Sequence, residues 1–234
     1  MTIGYGPRIV TDGLVLALDA ADRNSYPGSG TTWTDLSTNG NTGTLVNGVG
    51  YSASNGGALT FDGSDDYVDC GNTSSLNPSN GISVSVWVKF TSTINTTRQM
   101  MVEKHSSPGS GWWFAGQNNK IIWLVVGTSG GEKYIDLTNN TSIISGTIYN
   151  IVGTYNVTGS ALKLYVNGND DGGTIAGGGS GLSSSSNPLI IGKQHNWGND
   201  PSSISIFNTS IYNRALSAAE VSQNFQALRG RFGI

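Results

Sequence analysis

The chain has 234 residues, only 12% of them charged, and a formal net charge of -3. Lys and Arg this few and this scattered exclude the basic footprint of a nucleic-acid binder and the polybasic segment that draws a protein to an anionic membrane. The 34 glycines, set among many Ser, Thr and Asn, punctuate segments rich in Val, Ile, Trp and Tyr, which is the pattern of a turn-rich β protein and not of a disordered chain.

Cys70 is alone, so no internal disulfide forms. The opening MTIGYGPRIVTDG has neither the basic nor the apolar part of a signal peptide, and no apolar run approaches the roughly 20 residues of a membrane helix. The expectation is synthesis in a reducing cytosol, or export by a route the sequence does not show. Residues 1–12 precede the first strong strand and read as an N-terminal arm, a candidate anchor. Residues 13–234 read as one domain, because no break in composition divides them.

In chain order, GLVLALDA (13–20) is an apolar run that reads as a strand. ALTFDG and DYVDCG (58–71) alternate on either side of a turn. In ISVSVWVKF (82–90), Ile82, Val84, Val86, Val88 and Phe90 share one face, with Ser83, Ser85, Trp87 and Lys89 on the other. Trp87 therefore needs cover from a second layer or stands on the surface. QMMVEK (99–104), GWWFAG (111–116), KIIWLVVG (120–127), EKYIDL (132–137), IYNIVGTY (148–155) and ALKLYVNG (161–168) follow. Asn167-Gly168 signals a hairpin, since both residues tolerate the positive φ of a type I′ turn. The Gly- and Ser-rich stretch 170–187 reads as a long flexible loop. LIIGKQ (189–194) and SISIFNTSIYN (203–213) complete the set. A dozen short strands at this spacing predict an all-β fold, an antiparallel two-sheet jelly-roll sandwich.

The end of the chain predicts a short C-terminal amphipathic helix over 217–229. Ser217 is a natural N-cap, Glu220 completes a capping box, and Leu216 is placed to staple onto Val221. Val221, Phe225 and Leu228 share one face at helical spacing, and Gly230 ends the run. Such a helix would cover an open face or edge of the sandwich.

The same stretch, IYNRALSAAEV, resembles the closing signature of laminin-G-like jelly-roll domains of the concanavalin A-like lectin/glucanase superfamily. Other parts agree in order: LTFDGSDDYVDCG, ISVSVWVKF, YNIVGTYN, LKLYVNGN and NPLIIGKQ. The early TTWTDLSTNGNTG adds a Trp-x-Asp-Leu-Ser and a Gly-Asn-x-Gly motif. The resemblance spans nearly the whole chain and implies a concanavalin A-like fold. With that opening, ISI (204–206) in the last strand and SQNFQALRGRFG (222–233) at the end of the chain, the variant is similar to versions in structural proteins of tailed bacteriophages, notably marine ones. That likeness implies a non-enzymatic virion protein, made in the host cytoplasm and exposed on the particle surface as capsid decoration or as a neck or tail appendage. Its implied partners are other virion proteins, further copies of itself, and host-surface or environmental glycans bound for adhesion. A free soluble lectin is the alternative. One departure concerns metal: the Ile-Asp-Asp or Ile-Asp-Glu that often leads into the family's last strand is Ile206-Phe207-Asn208 here, so an acidic pair is missing from any inherited calcium site.

The superfamily includes glucanases, so paired carboxylates are the first chemistry to seek. A glycoside hydrolase needs two, roughly 5 to 9.5 Å apart. The chain has three Glu, at 103, 132 and 220, and none has an acid two residues on. Glu132 and Asp136 flank Tyr134 on one strand face and form the best candidate pair; the expectation remains that they face solvent and that the protein is not an enzyme. Asp62, Asp65 and Asp66, with Asp69 nearby, offer hard oxygen ligands for calcium, or serve a plain Gly-Ser-Asp-Asp turn. Sugars stack on aromatic faces, and amides and carboxylates bond their hydroxyls. Trp197 in QHNWGND, with Gln194, His195, Asn196 and Asp200 around it, is the candidate carbohydrate site. Trp112 and Trp113 are adjacent and point to opposite faces of a strand; Trp112 is taken as the further candidate.

Overall fold

A computed structural model describes residues 7–94, 96–106, 109–136, 138–194 and 202–234. The strands run β1 (Leu14–Asp19), β2 (Thr32–Trp33), β3 (Gly43–Val46), β4 (Gly50–Ser52), β5 (Ala58–Asp62) and β6 (Tyr67–Asp69). They continue with β7 (Gly81–Phe90), β8 (Gln99–Ser106), β9 (Ser110–Gln117), β10 (Lys120–Val126), β11 (Glu132–Asp136) and β12 (Ile148–Asn156). The last are β13 (Ala161–Val166), β14 (Asn169–Asp170), β15 (Ile175–Ala176), β16 (Ile190–Ile191) and β17 (Ser203–Tyr212), before the helix α1 (Ala218–Leu228).

All pairings are antiparallel and build two sheets. The first has the order β14-β13-β12-β7-β17-β5-β4, with β1 also on β17. The long strand β17 makes this possible: Ser203 to Ile206 pair with β5, and Asn208 to Tyr212 with β1. The second sheet has the order β15-β11-β10-β9-β8-β16-β6-β3-β2. This is the expected jelly-roll sandwich.

The core between the sheets follows the alternation read from the sequence. Ile82, Val84, Val86, Val88 and Phe90 all face inward and are fully buried. Trp123 of β10 meets them from the second sheet and lies against β12 at Gly153, where a Cβ would come within 2.6 Å of the indole. Its Nε1 donates to the carbonyl of Thr154 at 3.2 Å. Burying an aromatic this size contributes about 2–3 kcal/mol, and only glycine lets the two backbones close on it.

Local signals also hold. Asn167 and Gly168 take φ of 49° and 78° in the two-residue turn between β13 and β14. In the opening motif, Asp35 accepts the amides of Ala17, Ser37 and Asn41, each at 2.8 Å, which folds the TDLSTNGN loop around one carboxylate. Ser217 and Glu220 form the capping box, and Leu216 and Val221 pack in one cluster. Residues 8 to 12 are tied to this end of the chain. Val10 donates to Asn224 at 2.7 Å and accepts from the Tyr212 hydroxyl, and Gln223 donates to the carbonyl of Arg8. Residues 1–6 of the arm lie outside the described residues.

The stretch 170–187 corrects the reading as a flexible loop. It carries β15, which pairs with β11, and an isolated bridge from Ser180 to Ser129. Gly177 passes so close to β11 that a Cβ there would stand 2.0 Å from the carbonyl oxygen of Glu132. Leu182 and Ser185 are buried. The fully buried Lys104 ammonium then donates to the carbonyl of Asn187 at 2.7 Å and that of Ser185 at 3.3 Å, and to Asn72. Burial pulls the Lys104 pKa down to about 8.

Candidate functional site

The two sheets differ in what covers their outer faces. On the first sheet, Trp87 points outward and is sealed by the C-terminal segment. Phe225 of α1 stacks on it with centroids 5.6 Å apart, and Phe232 at 4.2 Å. Phe207, which occupies the register shift between Ile206 and Asn208, packs edge-on against Phe232. Phe207 is therefore part of an apolar seal.

On the second sheet the outer face carries a cleft of about 400 Å³, within the range of small-molecule sites. Strand register builds its floor. Glu103, Trp113, Leu124 and Tyr134 stand side by side across β8, β9, β10 and β11. Met100, Ala115, Ile122 and Asp136 form the next row. Glu132 lies opposite Val126 on the far side of Tyr134. The apolar floor, with half-buried Tyr134, forms a small cluster separate from the main core.

Polar groups ring this floor. The guanidinium of Arg98 lies 4.8 Å from the centre of the Trp113 ring. Glu132 and Asp136 line the β11 side, and His105 and Gln194 line the opposite side. Nε2 of His105 is buried without a hydrogen-bond partner. Burial holds the His105 pKa down, with the charge of Glu132 partly opposing.

The predicted residues can now be placed. Gln194 is 5% exposed and lines the cleft. His195, Asn196, Trp197 and Asp200 lie outside the described residues. Trp112 is corrected: it is 2% exposed, faces inward with Phe114, and packs on Trp123 with centroids 6.1 Å apart. Its neighbour Trp113, 7% exposed, is the one that reaches the cleft. Arg98, His105 and Tyr134 were missed as ligand candidates. The signal for Trp113 and Tyr134 was present, since Phe114 and Ile135 are the inward residues of their strands; no periodicity marks Arg98.

Glu132 and Asp136 do share the cleft, as their spacing predicts. Four residues along a strand separate their backbones by about 13 Å.

Asp62, Asp65 and Asp66 come together in the turn between β5 and β6, with one oxygen from each within 4.8 Å of the others. These are the described residues best suited to a hard cation. The same carboxylates already serve the turn: Asp66 accepts the amide of Asp62 at 3.0 Å, and Asp62 that of Ser64 at 2.7 Å. Burial, joined by the charges of Asp62 and Asp65, raises the pKa of Asp66. Asp69 stands apart and accepts the amide of Gly71.

An antiparallel two-sheet sandwich of this strand order is a lectin-like fold. The chain belongs to the concanavalin A-like lectin/glucanases superfamily, whose laminin G-type family model matches residues 62–222. No curated protein sequence matches it. Among solved structures, it is similar to the binding domain of Paraclostridial Mosquitocidal Protein 1, with a TM-score of 0.70 and 19% identity over 91% of this chain and 52% of that one. The receptor binding domain of botulinum neurotoxin C/D mosaic serotype gives 0.69 and 16%, over 92% and 51%. The Trypanosoma rangeli sialidase in complex with sialic acid gives 0.65 and 18%, over 97% and 35%. The chain thus spans about half the length of the toxin domains it matches. At these identities the likeness is one of fold.

Proposed function

We propose that this protein is a carbohydrate-binding domain whose site is the cleft on the outer face of the second sheet. The observation that carries this reading is the pairing of an aromatic floor, Trp113 and Tyr134, with hydroxyl-bonding groups on both rims, Glu132 and Asp136 facing Gln194. Aromatic faces take the apolar side of a sugar ring, and carboxylates and amides take its hydroxyls. The family, and the binding roles of the toxin domains whose fold the chain shares, support it. The test is a glycan array with the purified chain and Trp113→Ala. Binding lost in the variant is expected; unchanged binding places the site elsewhere, with Trp197→Ala the next variant. Repeating the array with EDTA tests whether the Asp62, Asp65 and Asp66 cluster holds calcium that the loops need.

The second part of the reading is its setting, a structural component of a phage particle with the cleft facing outward. Its support is the sequence resemblance of the opening, the last strand and the C-terminal segment taken together. Mass spectrometry of purified particles tests it, and absence of the chain from them leaves the free lectin.

A further inference from the structure

The outer face of the second sheet holds a second hollow beside the cleft. It has about 250 Å³ and is lined by Tyr67 of β6, Ile190 of β16, Lys193 and Gln194. Gln194 also lines the cleft, so one side chain forms a wall common to both. It is only 5% exposed, yet its amide makes no hydrogen bond to any protein group among the described residues. That amide borders the two hollows, where the hydroxyls of a ligand can both donate to it and accept from it.

The two hollows are built alike. In the cleft, the Arg98 guanidinium lies 4.8 Å from the centre of the Trp113 ring. In the second hollow, the Lys193 ammonium lies 5.2 Å from the centre of the Tyr67 ring. Each ring has an apolar residue of another strand beside it in the same hollow, Leu124 with Trp113 and Ile190 with Tyr67. Aromatic and apolar surface of this kind takes the less polar side of a sugar ring.

Register gives the length of the site. One outward row runs Tyr134, Leu124, Trp113, Glu103, Ile190 and Asp69, from β11 to β6. Tyr67 stands two residues from Asp69 on the same face of β6. Five strand spacings separate β11 from β6, about 24 Å. No single sugar ring spans that distance, and a short chain of them does.

The charges of this face do not select a charged ligand. Carboxylates stand on three of its strands, Glu132 and Asp136 on β11, Glu103 on β8 and Asp69 on β6. Cations are interspersed among them. Arg98 lies over Trp113, the register neighbour of Glu103, and Lys193 lies by Tyr67, on the strand of Asp69. The carboxylates oppose an anionic chain, and the cation at each ring opposes a cationic one. A neutral, hydroxyl-rich chain meets partners of both kinds.

We propose that the hollow at Tyr67 is a second sugar subsite, and that the ligand is a neutral oligosaccharide lying across the strands; this rests on the carbohydrate reading above. One unit sits at Trp113 in the cleft and another against Tyr67 and Ile190. Gln194 bonds hydroxyls where the chain passes from one hollow to the other.

The test is calorimetric titration of the intact chain with gluco-, galacto-, manno- and xylo-oligosaccharides, each as disaccharide and hexasaccharide. In at least one series the hexasaccharide should bind about tenfold or more tightly than the disaccharide. Tyr67→Ala should weaken that hexasaccharide about tenfold and leave the disaccharide, held in the cleft, unchanged. Tyr67→Phe keeps the ring and should keep the affinity. Gln194→Ala, at the junction, should also weaken the hexasaccharide. Oligogalacturonate of the same length should bind no more tightly than the neutral galacto-hexasaccharide. Melting temperatures of the variants confirm that they fold. Equal affinity for both lengths in every series that binds, or hexasaccharide binding indifferent to Tyr67→Ala and Gln194→Ala, overturns the second subsite and leaves the carbohydrate reading standing. Tighter binding of oligogalacturonate overturns the neutral ligand. Failure of every series to bind overturns the subsite and the carbohydrate reading together.

Discussion

Two tryptophans stand in mid-strand on the outer faces of the two sheets, Trp87 on β7 and Trp113 on β9, and both are nearly sealed. What seals them differs. Trp87 is held under Phe225 and Phe232, two rings from the chain's own end, fixed in turn by a capped helix. Trp113 is covered by the guanidinium of Arg98, on a flexible stem that can swing aside. One face is closed by the chain's own end, and the other is left as a cleft. The same residue type at similar depth lies in a different setting because of the rigidity of what lies over it.

The largest effect should come from breaking the roofed side. Trp87→Ala leaves an enclosed cavity under Phe225 and Phe232, and the loss should be about 3–5 kcal/mol. The melting temperature should fall by roughly 10 °C, with residual glycan binding at low temperature. A fall of only a degree or two would show that the helix roof is not part of the cooperative fold.

A smaller effect should come from loosening the roof at its hinge. Glu220 accepts from the amide of Ser217 at 2.8 Å and from both terminal nitrogens of Arg214, at 3.0 and 2.6 Å. The Arg214 guanidinium, aided by the cap, pulls the Glu220 pKa from 4.5 to about 2. Between these values the unfolded chain binds the proton and the folded one does not, so folding stability rises with pH. The contribution is complete above about pH 4.5 and is lost as pH falls toward 2. Glu220→Gln should cost about 1 kcal/mol at neutral pH, since the pair is partly exposed. In denaturant melts the gap between variant and wild type should close on acidification; a gap that persists at pH 2 would assign the loss to helix packing.

The roof was more legible in the sequence than the cleft, for a physical reason. Capping, the Asn167-Gly168 turn and the alternation of ISVSVWVKF are local, and each is fixed by residues within a few positions. The need of Trp87 for a second layer followed from that alternation alone. The cleft depends on non-local register. A register shift between Met100 and Val102 puts both Met101 and Val102 into the core and returns Glu103 and His105 to the outer face, which no simple period conveys. The choice between Trp112 and Trp113 turns on Phe114 pointing inward, which puts Trp112 in the core beside it and Trp113 on the outer face. The 170–187 stretch looked free because its partners, β11 and Lys104, are about forty and eighty residues away.

The smallest expected change in stability is at the open face. Trp113→Ala removes a ring whose outer side lies in the cleft under the Arg98 guanidinium, so the space left opens to solvent and water fills it. No enclosed void remains, and the cost should be about 1–2 kcal/mol, well below that of a sealed aromatic. The same variant should lose glycan binding altogether, which reverses the order set by Trp87→Ala. If Trp113→Ala instead unfolds the chain as readily as Trp87→Ala, the two faces are alike, and the cleft is a flaw in packing and not a site. Chemical denaturation of the two variants side by side, with glycan binding measured on the same samples, decides between these.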